Sequence, residues 1–222
     1  MGSVAAYDGI ADWYEQEFLG EGSDGDPLGI GRALRLLLGS GSGVCLEIGC
    51  GTGVSARQVR ELGWTPLGVD LSAGMLRYAR GRLPVAQADA ESLSVRGGAV
   101  RAVIAVMVHT DMPNYPAVLR EVSRVLEPGG VLVHVGVHPC FCGGFADHTD
   151  GEAVVIRPGY LDSYWSYESW TDRGVRDKVG AMHRPLPVLL HAFLDAGLTL
   201  ERFTEGGSPT PIMFAIRARK SA

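Results

Sequence analysis

A chain of 222 residues, 46% apolar and 20% charged, is long enough for one α/β domain with a buried core and short for two. No apolar run approaches the ~18 residues that cross a bilayer, and Met1 to Ile10 has neither the basic nor the apolar region of a secretory signal, so a cytoplasmic protein with no membrane partner is expected. The net charge of −5 gathers in residues 1–43, where Asp8, Asp12, Glu15, Glu17, Glu21, Asp24 and Asp26 face only Arg32 and Arg35; this excludes the basic footprint of a nucleic-acid binder, and the acidic segment reads as a solvated helix face.

Residues 1–43 read as a helical cap. Val44 to Gly49 is a short apolar run ending in glycine, the pattern of a buried strand, and Gly53 to Leu62 follows as a helix stopped by Gly63. Thr65 to Asp70 is a second strand. Ser72 then caps a helix over Ala73 to Arg82. Val85 to Ala88 and Val100 to Val106 are the third and fourth strands. A helix over Tyr115 to Leu126 ends at Pro128-Gly129-Gly130, before a fifth strand from Val131 to Val137. Such alternation predicts a Rossmann-like, doubly wound, mostly parallel sheet with helices on both faces. Residues 138–185, rich in Gly, Asp and aromatics and without a period, read as an insertion over the substrate side. Residues 186–222 add a helix, Leu186 to Ala196, and a strand pair, Thr199 to Thr204 and Pro211 to Ala218, for seven strands in a single domain. Residues 44–137 form its cofactor-binding core.

The strand ends carry the chemistry. Leu46 to Gly53 reads L-E-I-G-C-G-T-G at a strand-to-helix turn, where glycines let the backbone turn sharply and touch a ligand. The spacing of Gly49, Gly51 and Gly53 is G-x-G-x-G, not the G-x-G-x-x-G of dinucleotide sites. Asp70 closes the next strand, placed to accept from two ribose hydroxyls. Asp89 closes the third, where a carboxylate can accept from an adenine amino group while the Ala90 N–H donates to the ring. Methionine, ribose and adenine fit these three stations.

With G-V-D-L-S-A-G-M-L-R-Y-A (Gly68 to Ala79), A-D-A-E-S-L (Ala88 to Leu93) and R-E-V-S-R-V-L-E-P-G-G-V-L (Arg120 to Leu132), Leu46 to His134 resembles the methyltransferase type 11 domain, a small-molecule branch of the class I S-adenosylmethionine-dependent methyltransferases. Where that family often has Phe-Asp entering the fourth strand, this chain reads Val100-Arg101-Ala102. The resemblance implies S-adenosylmethionine as cofactor, with Glu47, Gly49 and Gly51 around the methionine part, Asp70 on the ribose, Leu71 and Met75 against the adenine, and Asp89 and Ala90 at its edge. Tyr7 and Tyr14, in an N-terminal segment resembling the family's entry helix, would close over the cofactor. Cys50, Gly53 and Met107 complete the expected cofactor set.

Methyl transfer needs a base only when the nucleophile must shed a proton. His109, after the fourth strand, is the candidate, with Asp111 to orient it; the competing reading makes His109 a wall of the pocket. His134 and His191 read as structural. His138, Tyr160, Tyr164 and Trp165 are the candidate substrate contacts, from an aromatic stretch ending at Trp170 that reads either as a lid over an apolar or planar acceptor or as a satellite core. His148 and His183 are placed to contact substrate as well. Arg173, Arg176, Lys178 and Arg184 read as a solvated basic face. Cys45, Cys50, Cys140 and Cys142 do not space as a disulfide scaffold; Cys140 and Cys142, with His138, Asp147 and His148, match no zinc signature and read as a substrate-facing loop. The expectation is an O- or N-methyltransferase acting on a small molecule, aromatic and of secondary metabolism, as monomer or homodimer and without a metal. A nicotinamide-dependent oxidoreductase and a non-catalytic S-adenosylmethionine-binding domain stay open as alternatives.

Overall fold

A computed structural model describes residues 5–20, 25–169 and 174–221; of the residues singled out above, Glu21, Asp24, Trp170 and Arg173 lie outside them. In chain order, a 3₁₀ turn (Ala6–Ile10) leads through α1 (Ala11–Trp13) into a π-helical turn (Tyr14–Phe18), and α2 (Ile30–Leu37) completes the cap. The core follows as β1 (Val44–Ile48), α3 (Ala56–Glu61), β2 (Thr65–Asp70), α4 (Ala73–Ala79), β3 (Val85–Gln87), β4 (Val100–Val106), α5 (Tyr115–Val125) and β5 (Leu126–Val137). The insertion holds β6 (Ala146–Asp147), β7 (Val155–Ile156), β8 (Tyr164–Ser166), α6 (Val175–Val179) and β9 (Ala181–His183), and α7 (Leu186–Asp195), β10 (Leu198–Gly206) and β11 (Met213–Lys220) come after it.

Seven strands form one sheet in the order β10-β11-β5-β4-β1-β2-β3. β1 to β5 run parallel, and β11 lies antiparallel between β5 and β10. On one face, Tyr115, Leu119 and Val122 of α5 and Leu189 and Phe193 of α7 pack on Leu46, Ile48, Val103 and Ile216. On the other, Ala33, Leu34 and Leu37 of α2 and Val59 of α3 cover Cys45, Ile104, Val133 and Ala215. Because the chain leaves β3 and returns to β4 on the far side of β1, the order reverses between β1 and β4. A doubly wound sheet opens its ligand crevice beyond the strand ends at such a point.

Three boundaries differ from those expected, each for a local reason. Gly53 sits at φ +81°, outside helical space, so α3 begins only at Ala56. α4 stops at Ala79, and a turn carries the chain to β3. The β5 ladder starts at Leu126 but skips a register at Glu127 to Gly130: Val100 pairs with Leu126 and Ala102 with Val131. The insertion is not irregular throughout. It builds two two-stranded ribbons, β6–β7 and β8–β9, whose strands of two or three residues are too short to show a period.

The acidic N-terminal segment is not a free solvated face. Asp8 accepts from Ser72 Oγ at 2.6 Å and from Gly74 N at 2.9 Å, Asp12 meets Arg77 at 2.6 Å, and Glu15 pairs with Arg82. The acids dock the cap along α4 and its following turn, which carry the complementary bases.

Candidate active site

A cleft of about 1290 Å³ opens beyond the ends of β1 and β4. Its floor is the glycine turn. Gly49 and Gly51 both adopt left-handed backbone, at φ +61° and +53°, and a Cβ on Gly49 would come within 2.7 Å of Val108. Gly53 serves differently. It does not line the cleft, and a Cβ there would press on Leu83 and Ala79, so this glycine lets the turn pack against α4 and is corrected from a cofactor contact to a packing position.

Asp70 braces the same turn: its carboxylate accepts from Gly51 N and from Ser72 N, both at 2.8 Å. Burial raises its pKa, opposed by those two bonds. Glu47 is 3% exposed, and its Oε2 has no hydrogen-bond partner. Burial pushes its pKa up to about 8, against a hydrogen bond from Ser55. Cys50, Leu71, Met75, Asp89, Ala90 and Met107 also line the cleft, and Asp89 is fixed by accepting from Glu91 N at 2.9 Å.

Tyr7 and Tyr14 form the opposite wall, their rings edge to face at 5.7 Å. Tyr7 Oη donates to Asp111 Oδ1 at 3.2 Å, and Asp111 is ion-paired with Arg176 of α6. All three line the cleft. Burial raises the Asp111 pKa, and the Arg176 charge pulls it back. This cluster ties together the cap, the loop after β4 and the insertion. Asp111 therefore orients Arg176 and Tyr7, not His109.

His109 is 4% exposed and is not among the residues lining the cleft. Its ring packs on His134, 4.8 Å between centroids, beside a separate cavity of about 10 Å³ walled also by Thr110, Pro139, Cys142 and His183. Burial above all, then the neighbouring His134 ring and the charges of Arg184 and Arg176, holds its pKa well below the ordinary value. A neutral imidazole behind the cleft wall is a poor base for a substrate inside it.

Of the four substrate candidates, only Trp165 lines the cleft. His138 is buried, with Nε2 2.8 Å from Glu205 and its ring on Phe141 and Phe214. Tyr160 and Tyr164 pack on His183 and Tyr160 on Phe145, and Tyr160 Oη accepts from Leu186 N at 3.0 Å. These rings are the insertion's own core. His183 and His148 are likewise turned inward, onto the carbonyls of Tyr160 and Phe141. The Cys140–Cys142 loop lines the small cavity rather than the cleft, and among the described residues no group of three or more His, Cys, Asp or Glu is placed to hold a metal ion.

The expected basic face divides. Arg176 and Arg184 are buried, whereas Lys178 lies over the Trp13 ring. Arg184 donates to the carbonyls of His109, Met112 and Pro113 at 2.9, 2.6 and 2.6 Å, pinning the loop after β4. The sequence held a signal for Arg176 that charge alone obscured: Val175 and Val179 stand at i and i+4 in V-R-D-K-V, so α6 turns one side inward, and Arg176 is three residues before Val179 on it.

Residues 46–134 match the family described as "Methyltransferase domain". The chain is 36% identical over 104 residues to the malonyl-[acyl-carrier protein] O-methyltransferase of Serratia marcescens, covering 44% of this chain and 41% of that protein. It is 25% identical over 209 residues to the 2-methyl-6-phytyl-1,4-hydroquinone methyltransferase of Synechocystis sp., covering 71% and 65%. Over this segment the chain is similar to class I S-adenosylmethionine-dependent methyltransferases. The S-adenosylmethionine dependent methyltransferase of Mesorhizobium loti shares its fold, with a TM-score of 0.72 at 24% identity over 85% of this chain and 96% of that one. The match spans less than two thirds of the length of the curated relatives named.

S-adenosylmethionine is the cofactor of this methyltransferase class, and the cleft fits it. The unpartnered Glu47 Oε2 offers an acceptor to an ammonium group, and Gly49 and Gly51 present bare backbone to the cleft. A carboxyl whose folded pKa lies above its unfolded value of about 4.3 stabilises the fold fully below that value. The contribution is lost as pH rises through about 8. In the cofactor-free protein, Glu47→Gln should therefore gain on the parent as pH climbs from about 5 to about 8.5, by on the order of 3–5 kcal/mol. Urea denaturation across that range reads the difference; curves that stay parallel would remove Glu47 as a buried proton carrier.

Proposed function

We propose that the chain transfers a methyl group from S-adenosylmethionine to an O or N nucleophile of a small, largely apolar molecule. The observation that carries this reading is the mixed lining of the cleft. Glu47, Asp70 and Asp89 line it. So do Phe18, Leu28, Leu34, Trp165 and Ile212, together with the buried ion pair of Asp111 and Arg176. Rings and aliphatic walls suit an apolar or aromatic acceptor, and the buried pair gives it one polar point of orientation.

When bound, the cofactor supplies an electrophilic methyl group on a sulfonium. The residues then have to align the acceptor and keep water out, which is where most of the acceleration of such a displacement arises. Tyr7 and Tyr14 cover the cleft from the cap. Asp111, held by Tyr7 and Arg176, is the carboxylate facing the acceptor side, placed to accept a hydrogen bond from a hydroxyl or amine. Two relatives are named for a hydroquinone and for malonyl-[acyl-carrier protein], which supports acceptors other than nucleic acid.

The test is incubation of the purified protein with methyl-labelled S-adenosylmethionine and a fractionated metabolite extract, with product masses read alongside calorimetry for cofactor and for NAD. A labelled product of low mass is expected, with S-adenosylmethionine bound far more tightly than NAD. Tight cofactor binding without any labelled product would leave a non-catalytic binding domain.

A further inference from the structure

Behind the cleft wall lie three aromatic residues that the proposed reaction does not use. Tyr115 and His134 are fully buried, and Tyr115 Oη is 2.8 Å from His134 Nδ1. His134 Nε2 and His109 Nδ1 are both buried without a hydrogen-bond partner. The two nitrogens face one notch, formed because residue 136 of β5 is glycine. A Cβ at Gly136 would collide with His109 Nδ1 and stand 3.1 Å from His134 Nε2. Glycine inside a strand commonly marks such a close approach.

Proton counting selects one arrangement. If His134 Nδ1–H donated to Tyr115, the Tyr115 O–H would need another acceptor, and no other bond to this hydroxyl is found among the described residues. If Tyr115 donates, His134 carries its proton on Nε2, and that N–H points toward the notch where the His109 Nδ1 lone pair waits. Once the His109 ring turns to accept that N–H, this order leaves no buried donor orphaned, whereas the reverse order strands the Tyr115 O–H; orphaned buried donors are the rarer and costlier case.

We infer that Tyr115, His134 and His109 form a one-way hydrogen-bond relay, Tyr115 Oη–H to His134 Nδ1 and His134 Nε2–H to His109 Nδ1, closed across Gly136 by a small turn of the His109 ring. The relay fixes both histidines as Nε2–H tautomers. Burial supports it, since it holds His134 down to about 3 and His109 well below its ordinary value, so both rings are neutral at pH 7. With Nδ1 engaged and Nε2 protonated, His109 has no free lone pair and is not a base. It is a positioning residue: the relay holds its ring while Arg184 holds its carbonyl, and the short loop between them and α5 presents Asp111 and Met112 to the cleft. That positioning role rests on the methyl-transfer reading; the tautomers do not.

Long-range ¹H–¹⁵N correlation spectra of the full chain test the relay without any substrate. Both His109 and His134 should appear as Nε2–H tautomers, unchanged from about pH 5 to about pH 8. An Nδ1–H tautomer at either residue overturns the proposal. Tyr115→Phe removes the first donor and should redistribute the His134 tautomers. It should also raise the acceptor KM more than it lowers S-adenosylhomocysteine affinity, which should stay within about threefold because the cofactor stations do not touch the relay. An unaltered His134 signal in this variant would overturn the relay. Normal tautomers with unchanged acceptor kinetics would leave the relay standing and overturn its positioning role. Should Tyr115→Phe fail to fold, the spectra of the parent chain decide the matter alone.

Discussion

Asp70→Ala should weaken S-adenosylhomocysteine binding by ~30- to 1000-fold, about 2–4 kcal/mol, because it removes the charged group that we propose as acceptor for two ribose hydroxyls. The structure adds a second loss. The same carboxylate accepts from Gly51 N and Ser72 N, so its removal also frees the glycine turn that lets the backbone approach the ligand. Asp70→Asn separates the two effects. The amide oxygen can still brace one backbone N–H, and what disappears is the charge. Asn should therefore recover part of the affinity lost in Ala. Calorimetric titration of both variants measures this, and an affinity unchanged in Asp70→Ala would remove Asp70 from the ribose.

That Gly49, Gly51, Asp70 and Asp89 meet in one cleft was legible because it is written locally. Gly49, Gly51, Asp70 and Asp89 each stand at the end of a strand, and a doubly wound sheet brings those ends together whatever the rest of the chain does. The five parallel strands followed from the same alternation, and the strand pair that completes the seven from the turn between them. The acceptor half was not legible, because it is assembled from segments distant in sequence. His109 has the right residue type on the right loop, but the side its ring takes is decided by Gly136 and His134 on the neighbouring strand. His138, Tyr160 and Tyr164 looked like pocket residues because aromatics in an insertion suit either a lid or a small core, and composition does not distinguish the two. The ribbons β6–β7 and β8–β9 need a core of their own, and those rings supply it. Arg176 was read as solvated because charge is the prior for exposure; its burial depends on Asp111, 65 residues away.

Arg176→Met should cost about 3–5 kcal/mol of folding stability at neutral pH, the range seen when one partner of a buried pair is removed. The loss falls on Asp111, which would stay buried beside Tyr7 with its charge uncompensated. Arg176 now pulls the Asp111 pKa down against burial, so without it that pKa climbs further. A carboxyl raised in this way is tolerated below its unfolded pKa of about 3.9 and penalised as pH rises. The deficit of the variant should therefore be small near pH 4 and full near pH 8. Adding Asp111→Asn should restore much of the stability at high pH, since no charge then remains to be buried. Methyl transfer should stay impaired in the double variant, because the group that faces the acceptor is gone. Urea denaturation of the two variants at acid and alkaline pH gives the coupling directly. A deficit independent of pH, or an Asn substitution that adds to the loss, would mean that Arg176 acts through its packing in the cleft wall and not through the charge of Asp111.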